Sequence, residues 1–554
     1  MSLVSSSGCA SSRPGLDRRT FLKALGSLTV ASALGRIELD AYGSSGAGRV
    51  LASGALTETL PLGTPICVLL TLDGGNDSLN TLVPVSDPWY YDQQYGHGAL
   101  ALAPDTTLAL AGTGYRLHPN LGWLAGRWNT VGDVAFVQGV GERDRRNFSH
   151  FDSMKYWQTA DTSLLEPHGW LGRYNDLVHP ASPMASVSLT GLRLESMGET
   201  SPVLVVRDTS LFQYWMPWYD TANFRAALDL MATASGGGGG GYRPQAAELI
   251  STTFAVGGRV RGATDAAITA GEHSRIAQQL LQAALLIRAG IPCQTYAAAF
   301  GPFDSHNGQL GMQGDRLTEL NEALSLFFAA IEISERRGDV FVAIVSEFGR
   351  KVTANANAGT DHGQSGLAIL AGGGVARGIY GEAPTLDPGG PTRPNRVHDA
   401  MRPIVDYRSL HATVLGRLAR DGGGVAQAVL RGSFENLGVF SPADRPQITA
   451  PPSGSQLQRG APATFAWTPL GGAAQYGFEF TGSDRRFANP NGIAPDSLNG
   501  YGGAGGGFLV PGPGFTAELP VAMTPGTYQV RVIGLTATGQ LLGSFSDAVT
   551  LVVQ

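Results

Sequence analysis

The sequence predicts an α/β domain built on a mainly parallel central sheet flanked by helices, followed by a small all-β sandwich. Three observations carry that prediction. From Pro65 to about Val439, short apolar runs alternate with segments of helical period. The runs are apolar on both faces, as strands covered by helices on two sides must be. Beyond Ser441 the texture changes to short alternating segments divided by Pro and Gly turns, among them "ATFAWTPL", "YGFEFTG" and "GTYQVRVIGL".

The elements follow in order. Residues 1–40 read as a twin-arginine export signal, because Arg18-Arg19 is followed by Thr20, Phe21, Leu22 and Lys23 and then by the modest apolar segment Ala24 to Leu34. That segment is shorter than the roughly 20 residues a membrane span needs, and Cys9 precedes the arginine pair, where a lipid-attachment cysteine would not sit. Residues 41–63, rich in Gly, Ser and Ala over 42–60, form a linker. Residues 64–440 make the α/β domain, with strands expected at Ile66 to Leu72, Val134 to Gly139, Gln294 to Phe300, Val340 to Val345 and Leu367 to Ala371. Helices are expected at Ser274 to Ala289 and Gly314 to Arg337, where Leu317, Leu320, Leu324, Phe327 and Phe328 share one face. Residues 441–554 make the sandwich, immunoglobulin- or fibronectin-III-like, with Trp467 and Tyr528 as core aromatics. The six-glycine run from Gly236 to Gly241 reads as a loop, and "LFQYWMPWY" as either an aromatic wall or core packing.

Composition narrows the function. A chain of 554 residues with 15 % charged residues and a formal charge of −6 has no general attraction for nucleic acid or anionic lipid, and no basic patch with interleaved aromatics appears. Without its signal the chain retains no transmembrane segment, and a twin-arginine route places it in the periplasm or outside the cell. Cys67 and Cys293 then remain, too few for a structural zinc site, and they read as two buried thiols. The GGG at 372–374 lacks the glycine spacing of a dinucleotide fingerprint.

The polar groups of the α/β domain collect at one place. Ligands of an open α/β sheet gather beyond the carboxyl ends of its strands. Asp73 follows the first strand in "LLTLDGGNDSLN", Asp304 and His306 follow another in "AAAFGPFDSHNGQ", and Glu347 follows a third in "FVAIVSEFGR". The loop from Gly349 to Gly366 has no helical period, so the strand after it should return antiparallel and bring Asp361 and His362 back to the edge that holds Glu347. Carboxylates mixed with imidazoles suit zinc, manganese or a similar divalent ion. Each residue alone has a plainer explanation: Asp73 before two glycines could cap a turn, and Glu347 with Arg350 could form a surface ion pair. Ser149 in "NFSHFDSMKYW" stands at the start of a helix, the ordinary place of an N-cap and also of a nucleophile whose attack a metal and helix N–H groups would assist. His150 could assist it, and Arg143, Arg145 and Arg146 could neutralise an anionic substrate or simply be solvated.

"LDGGNDSLNTLVPV", "NFSHFDSMKYW", "GWLGRY", "FDSHNGQ", "SEFGRKVTANANAGTDHGQSGLAILAGGGVARGIYGE" and "DYRSLHATVLGRL" together resemble the bacterial domain-of-unknown-function family 1501 over most of residues 65–440. That family is regarded as a distant branch of the alkaline phosphatase and sulfatase superfamily. The resemblance implies an alkaline-phosphatase-like fold, one or two divalent metals, and a hydroxyl or modified-cysteine nucleophile acting on phosphate or sulfate esters. It makes Asp73, Asp304, His306 and His362 metal ligands, places Glu347 where the superfamily has an Asp and Ser149 where it has its nucleophile; with the residues read above, Asp361 joins the metal set, and His150 and Arg350 join Ser149 as catalytic candidates. Two departures imply one ion rather than two: Phe348 follows Glu347 where the superfamily has His, and the spacing of Asp304 and His306 is short. No Cys-x-Pro-x-Arg occurs, which argues against a formylglycine sulfatase.

Two functions follow as expectations. The chain is an exported metal-dependent hydrolase of an anionic ester, small or polymeric, or it is a non-catalytic extracellular protein that keeps the fold and binds polysaccharide or a cell surface through its sandwich. Fold alone does not choose between them.

Overall fold

The central sheet of the computed structural model starts with β1 (Ile66–Leu72), whose seven residues are all buried. The structure describes residue 60, residues 63–207, 257–481 and 507–554, with short gaps inside those ranges. The arginine pair, most of the linker, Arg146, "LFQYWMPWY" and the six-glycine run lie outside the described residues.

Ten further strands matter to the site: β2 (Val134–Gly141), β3 (Ser186–Ser188), β4 (Val203–Val205), β5 (Thr295–Phe300), β6 (Val340–Val345), β7 (Arg350–Ala354), β8 (Thr360–His362), β9 (Gly366–Gly372), β10 (Gly378–Gly381) and β11 (Val405–Asp406). The order across the nine-stranded sheet is β10-β2-β9-β6-β1-β5-β3-β4, with β11 beside β2. Only β9 runs against the rest, pairing antiparallel with both β2 and β6. All other pairs in this sheet are parallel.

Alternation along β1 sends its side chains into two cores. Ile66, Val68, Leu70 and Leu72 pack on the face covered by α1 (Gly122–Thr130), α4 (Arg275–Arg288) and α5 (Gln309–Glu332). Cys67 and Leu69 pack on the face covered by α2 (His150–Thr159), α3 (Trp170–Val178) and α6 (Tyr407–Ala419). Each fully buried Leu or Val contributes roughly 1.5–3 kcal/mol, and a strand with no exposed face explains why the apolar runs read so clearly. Cys67 and Cys293 are free, buried thiols, their pKa values raised by desolvation.

The clearest boundary differences are at the two ends of α5, which stops at Glu332 rather than the expected Arg337. α5 begins at Gln309, five residues before the expected Gly314, because its first turns bury amides in place of apolar groups. Gln309 donates to Asp77 Oδ2 (2.5 Å) and Gln313 to the Asp77 carbonyl (2.9 Å). A hydrophobic period cannot register a turn held by amide hydrogen bonds.

The C-terminal strands form separate sheets. One joins Ile448–Ala450, Pro462–Trp467 and Gly514–Glu518, and the other is ordered around Gly526–Leu535 with Gln475–Thr481 and Val549–Val553 on its two sides. The pairing is antiparallel apart from the short Gln456–Leu457 strand. Phe465, Trp467, Phe478, Tyr528, Val530, Val532 and Leu551 fill the space between them, an arrangement consistent with an immunoglobulin- or fibronectin-III-like sandwich.

Candidate metal centre

Register delivers three loops to one level. Thr71 lies opposite Val345 and Leu72 opposite Phe300, so Asp73, Gly301 and Ser346 leave the sheet together. The next segment forms a hairpin, β7 paired with β8, in which Arg350 faces His362. The antiparallel β9 then starts beside the end of β6, and Asp361 and His362 return to the edge that holds Glu347.

Two glycines make the first loop possible. Gly74 has φ +118° and Gly75 φ +79°, regions costly for any residue with a Cβ. A Cβ on Gly74 would stand 2.5 Å from the Asp304 nitrogen, and one on Gly75 2.5 Å from the Phe348 ring. The Gly74 N–H donates to Glu347 Oε1 at 2.8 Å. The Ser346 hydroxyl donates to the Leu72 carbonyl at 2.6 Å and accepts from the Asn76 N–H at 3.0 Å, which ties the ends of β1 and β6.

Three imidazoles meet around Asp304 in the same way. His150 Nδ1 lies 2.7 Å from Glu347 Oε1, His362 Nδ1 2.7 Å from the Phe148 carbonyl, and His306 Nδ1 3.3 Å from Asp361 Oδ1. With each Nδ1–H directed to an oxygen, each Nε2 is left as a lone-pair donor. The His362 and His306 Nε2 atoms are both 3.1 Å from Asp304 Oδ1, and His150 Nε2 is 3.5 Å from Asp304 Oδ2. His150, Asp304 and His362 offer ligand atoms within 4.8 Å of one another.

These residues fit a divalent cation. His306 and His362 bring their Nε2 atoms to 2.9 Å, a contact between two lone pairs unless a proton or a cation lies between. His150 Nε2 is buried with no hydrogen-bond partner. Tetrahedral ligation at about 2.0–2.1 Å spaces ligand atoms by roughly 3.3 Å, close to the separations around Asp304. Nitrogen donors with a single carboxylate suit zinc or a similar first-row ion rather than calcium or magnesium. Oxygens that orient each ring through Nδ1 are the usual outer support of metal-bound histidine.

The structure redistributes the expected roles. Glu347, 4 % exposed, is spent on His150 and Gly74, so it supports the cluster. Asp361 likewise supports His306 and is shared with Lys351 (3.4 Å) and Asn355 (3.3 Å). Asp73 stands at the same sheet edge but turns to Arg193, 3.5 Å away. Burial, partly offset by Arg193 and reinforced by Glu347 and Glu195, raises the Asp73 carboxyl to about 6.

His150, expected to assist a nucleophile, directs its Nε2 toward Asp304 Oδ2, 3.5 Å away. The surface pair of Glu347 with Arg350 is not formed. Arg350 is 1 % exposed and donates to the carbonyls of Gly74, Gly75 (2.8 Å), Thr360 (3.0 Å) and Phe303 (3.1 Å) and to Asp304 Oδ1 (2.6 Å). A planar fork satisfies several fixed oxygens at once, and this one holds the loops of β1, β5 and β8 together. The guanidinium, with the neighbouring histidines, outweighs burial and lowers the Asp304 pKa, which keeps a ligand oxygen ionised. The Ser149 hydroxyl occupies the N-cap of α2 and accepts from the Asp152 N–H at 3.4 Å.

A protein-family model described as "Protein of unknown function (DUF1501)" matches residues 245–431. That span includes Asp304, His306, Glu347, Asp361 and His362, and leaves out Asp73 and His150. No curated protein matches the chain. Among solved structures, fibronectin(III)-like modules of Clostridium thermocellum CbhA align at 13 % identity and TM-score 0.13, over 20 % of this chain and 45 % of that one. The chain thus spans less than half the length of that structure. A structure from work on a core genetic locus for metabolism of multiple glycosaminoglycans in Bacteroides thetaiotaomicron aligns at 7 % identity and TM-score 0.30, over 87 % of this chain and 89 % of that one. Scores this low carry no conclusion about fold or activity.

Proposed function

We propose that the chain is an exported metal-dependent hydrolase of phosphate or sulfate esters. One observation carries the reading most: three imidazoles with their Nδ1 sides tied to oxygens direct Nε2 toward one carboxylate. His306, His362, Asp304 and His150 would hold one zinc or manganese ion, which supplies Lewis acidity toward an ester oxygen and lowers the pKa of a hydroxyl near it. The chain's own residues do the rest. Phe348 packs its ring 4.9 Å from both His150 and His362 and keeps water from that side. Arg350 holds Asp304 in place, and Asp361 and Glu347 hold two of the rings. Ser149, the residue before His150, is the proposed nucleophile at the N-terminus of α2, where backbone N–H groups favour negative charge. The arginine pair supports twin-arginine export to the periplasm or medium. Among the described residues no helix is long and apolar enough to cross a membrane.

The test pairs metal content with two Ser149 variants. Elemental analysis of the mature chain should give close to one transition-metal ion, lost in His362→Ala. Both Ser149→Ala and Ser149→Asn should abolish ester hydrolysis while keeping the ion. Asn retains the cap, so hydrolysis surviving in Ser149→Asn would refute Ser149 as nucleophile.

The capping bond made by Ser149 Oγ favours a second reading, a non-catalytic extracellular protein that keeps the ion for structure and binds polysaccharide through its sandwich. Metal retention with no hydrolysis across phosphate, phosphodiester and sulfate esters would support it.

A further inference from the structure

A cavity of about 570 Å³ opens beside the cluster; Asp73, His150, Asp304 and Glu347 line it together with Arg193, Arg275 and Arg316. Pockets of roughly 300–1,000 Å³ accommodate whole organic ligands, so a phosphoryl or sulfuryl group at the metal residues leaves most of this volume to the remainder of the molecule.

The three arginines come from three elements: the loop after β3, the first residue of α4, and the third turn of α5. The carboxylates lining the cavity already have cationic or imidazole partners. Asp73 faces Arg193 at 3.5 Å, Glu319 pairs with Arg316 at 2.7 Å, Asp304 with Arg350 at 2.6 Å, and Glu347 with His150 at 2.7 Å. Arg193 is held further by Glu195 through Nε at 2.9 Å, and Arg316 lies over the Phe300 ring at 5.6 Å. Arg275 is left over. It is exposed, lines the cavity, and forms no ion pair among the described residues. It stands at the start of a 14-residue helix whose N-cap, Ser274, accepts from the Ala277 N–H, so the helix dipole adds to its positive field.

We infer that the cavity wall formed by Arg275 with Arg316 and Arg193 is a subsite for a second anionic group, carried by the part of the substrate that leaves. This rests on the proposed ester hydrolysis and names its substrate class: organic phosphate or sulfate esters whose leaving group bears its own carboxylate, sulfate or phosphate. Arg275 makes the direct contact. Arg316 shares the charge from the next helix, and Arg193 is the fixed cation at the floor.

The test separates the subsite from the chemistry. Benzylphosphonate and 4-carboxybenzylphosphonate, which cannot be hydrolysed, are titrated calorimetrically into the full mature chain and into Arg275→Gln and Arg275→Gln/Arg316→Gln. The carboxylated probe should bind the parent on the order of tenfold more tightly, and the ratio should fall toward one in the variants, chiefly in Arg275→Gln. Equal binding in the parent, no binding of either probe, or a ratio unmoved by the double variant overturns the subsite. In parallel, phenyl phosphate and 4-carboxyphenyl phosphate, with the matching sulfates, are offered as substrates. A preference for the carboxylated ester expressed in KM supports the inference. Absence of turnover with the phosphonate ratio intact overturns the hydrolase reading and leaves the anion subsite standing.

Discussion

At the scale of single residues, the division between groups that would touch the proposed ion and groups that orient them sets different consequences for mutation. Removing a ligand nitrogen or oxygen, in His362→Ala or Asp304→Ala, should abolish stoichiometric metal. Glu347→Gln keeps the shape but weakens the hold on His150 Nδ1, and should lower metal affinity by about 10- to 100-fold. Competition with a chelator of known affinity measures both, and equal losses in the three variants would contradict the division. Arg350 tests the loops beneath. Arg350→Met leaves four carbonyls and Asp304 without their shared donor, and should cost about 3–5 kcal/mol in denaturant unfolding. These roles were partly legible in the chain. Asp304, His306 and Glu347 follow apolar strands and His362 precedes one that returns antiparallel, so their edge could be read from strand ends. His150 could not, because it opens a helix and reaches the cluster only by the placement of α2 on the sheet. Asp73 was placed at the right edge, yet its partner Arg193 lies 120 positions away in a loop without periodic pattern.

Elements add constraints that no single contact shows. β9 was expected to return antiparallel because no helical segment precedes it, and the hairpin β7–β8 occupies the intervening loop. The tight turn after β1 is the cost of bringing β1, β5 and β6 to one level. Gly74→Ala should therefore destabilise by at least about 2 kcal/mol, since its φ is unfavourable and the added Cβ would meet the Asp304 backbone. A milder loss in thermal unfolding would mean the turn has freedom to shift. α6 contributes a pH response. His411 is buried, stacked on Trp170 at 4.4 Å and edge-on to Trp157 at 5.6 Å. Burial, helped by Arg173 and Arg408, pulls its pKa down to about 3. A base with a lowered folded pKa binds its proton in the unfolded chain first, so its contribution is intact above about 6.5 and is lost as pH falls toward 3. His411→Phe should flatten the stability profile in that window by up to about 1.4 kcal/mol per pH unit. His118, lowered by burial to about 4, remains in both chains and leaves a residual slope. Parallel profiles for parent and variant would show that His411 is not the group responsible.

The whole molecule joins two architectures across a buried charge network. Asp339, which precedes β6, accepts from the Gly63 N–H (3.0 Å), from Arg336 (3.3 Å) and from Arg531 (3.5 Å) of the sandwich. Glu479 lies directly opposite Arg531 in the sandwich sheet, accepts from it at 2.8 and 3.0 Å, and also pairs with Arg337 of the α/β domain. All five side chains are at most 6 % exposed. Such a network adds little net stability when complete, because desolvation offsets attraction, but breaking it strands buried charge. Three guanidiniums stand against two carboxylates, so the carboxylates are the sensitive members. Glu479→Gln would remove the carboxylate that Arg337 and Arg531 share, leaving two buried guanidiniums short of negative charge, and should cost about 3–5 kcal/mol. Because those cations belong to different domains, the cost falls on the junction. The parent should unfold in one calorimetric transition and Glu479→Gln in two, the sandwich melting first. None of this was legible in the sequence, where Arg336-Arg337 reads as the charged end of a helix and Glu479 as an outward residue of an alternating strand. If parent and variant both melt in two transitions at unchanged temperatures, the sandwich is only tethered. The second, surface-binding reading would then gain ground, since a module free to turn can engage a polymer that the α/β domain does not touch.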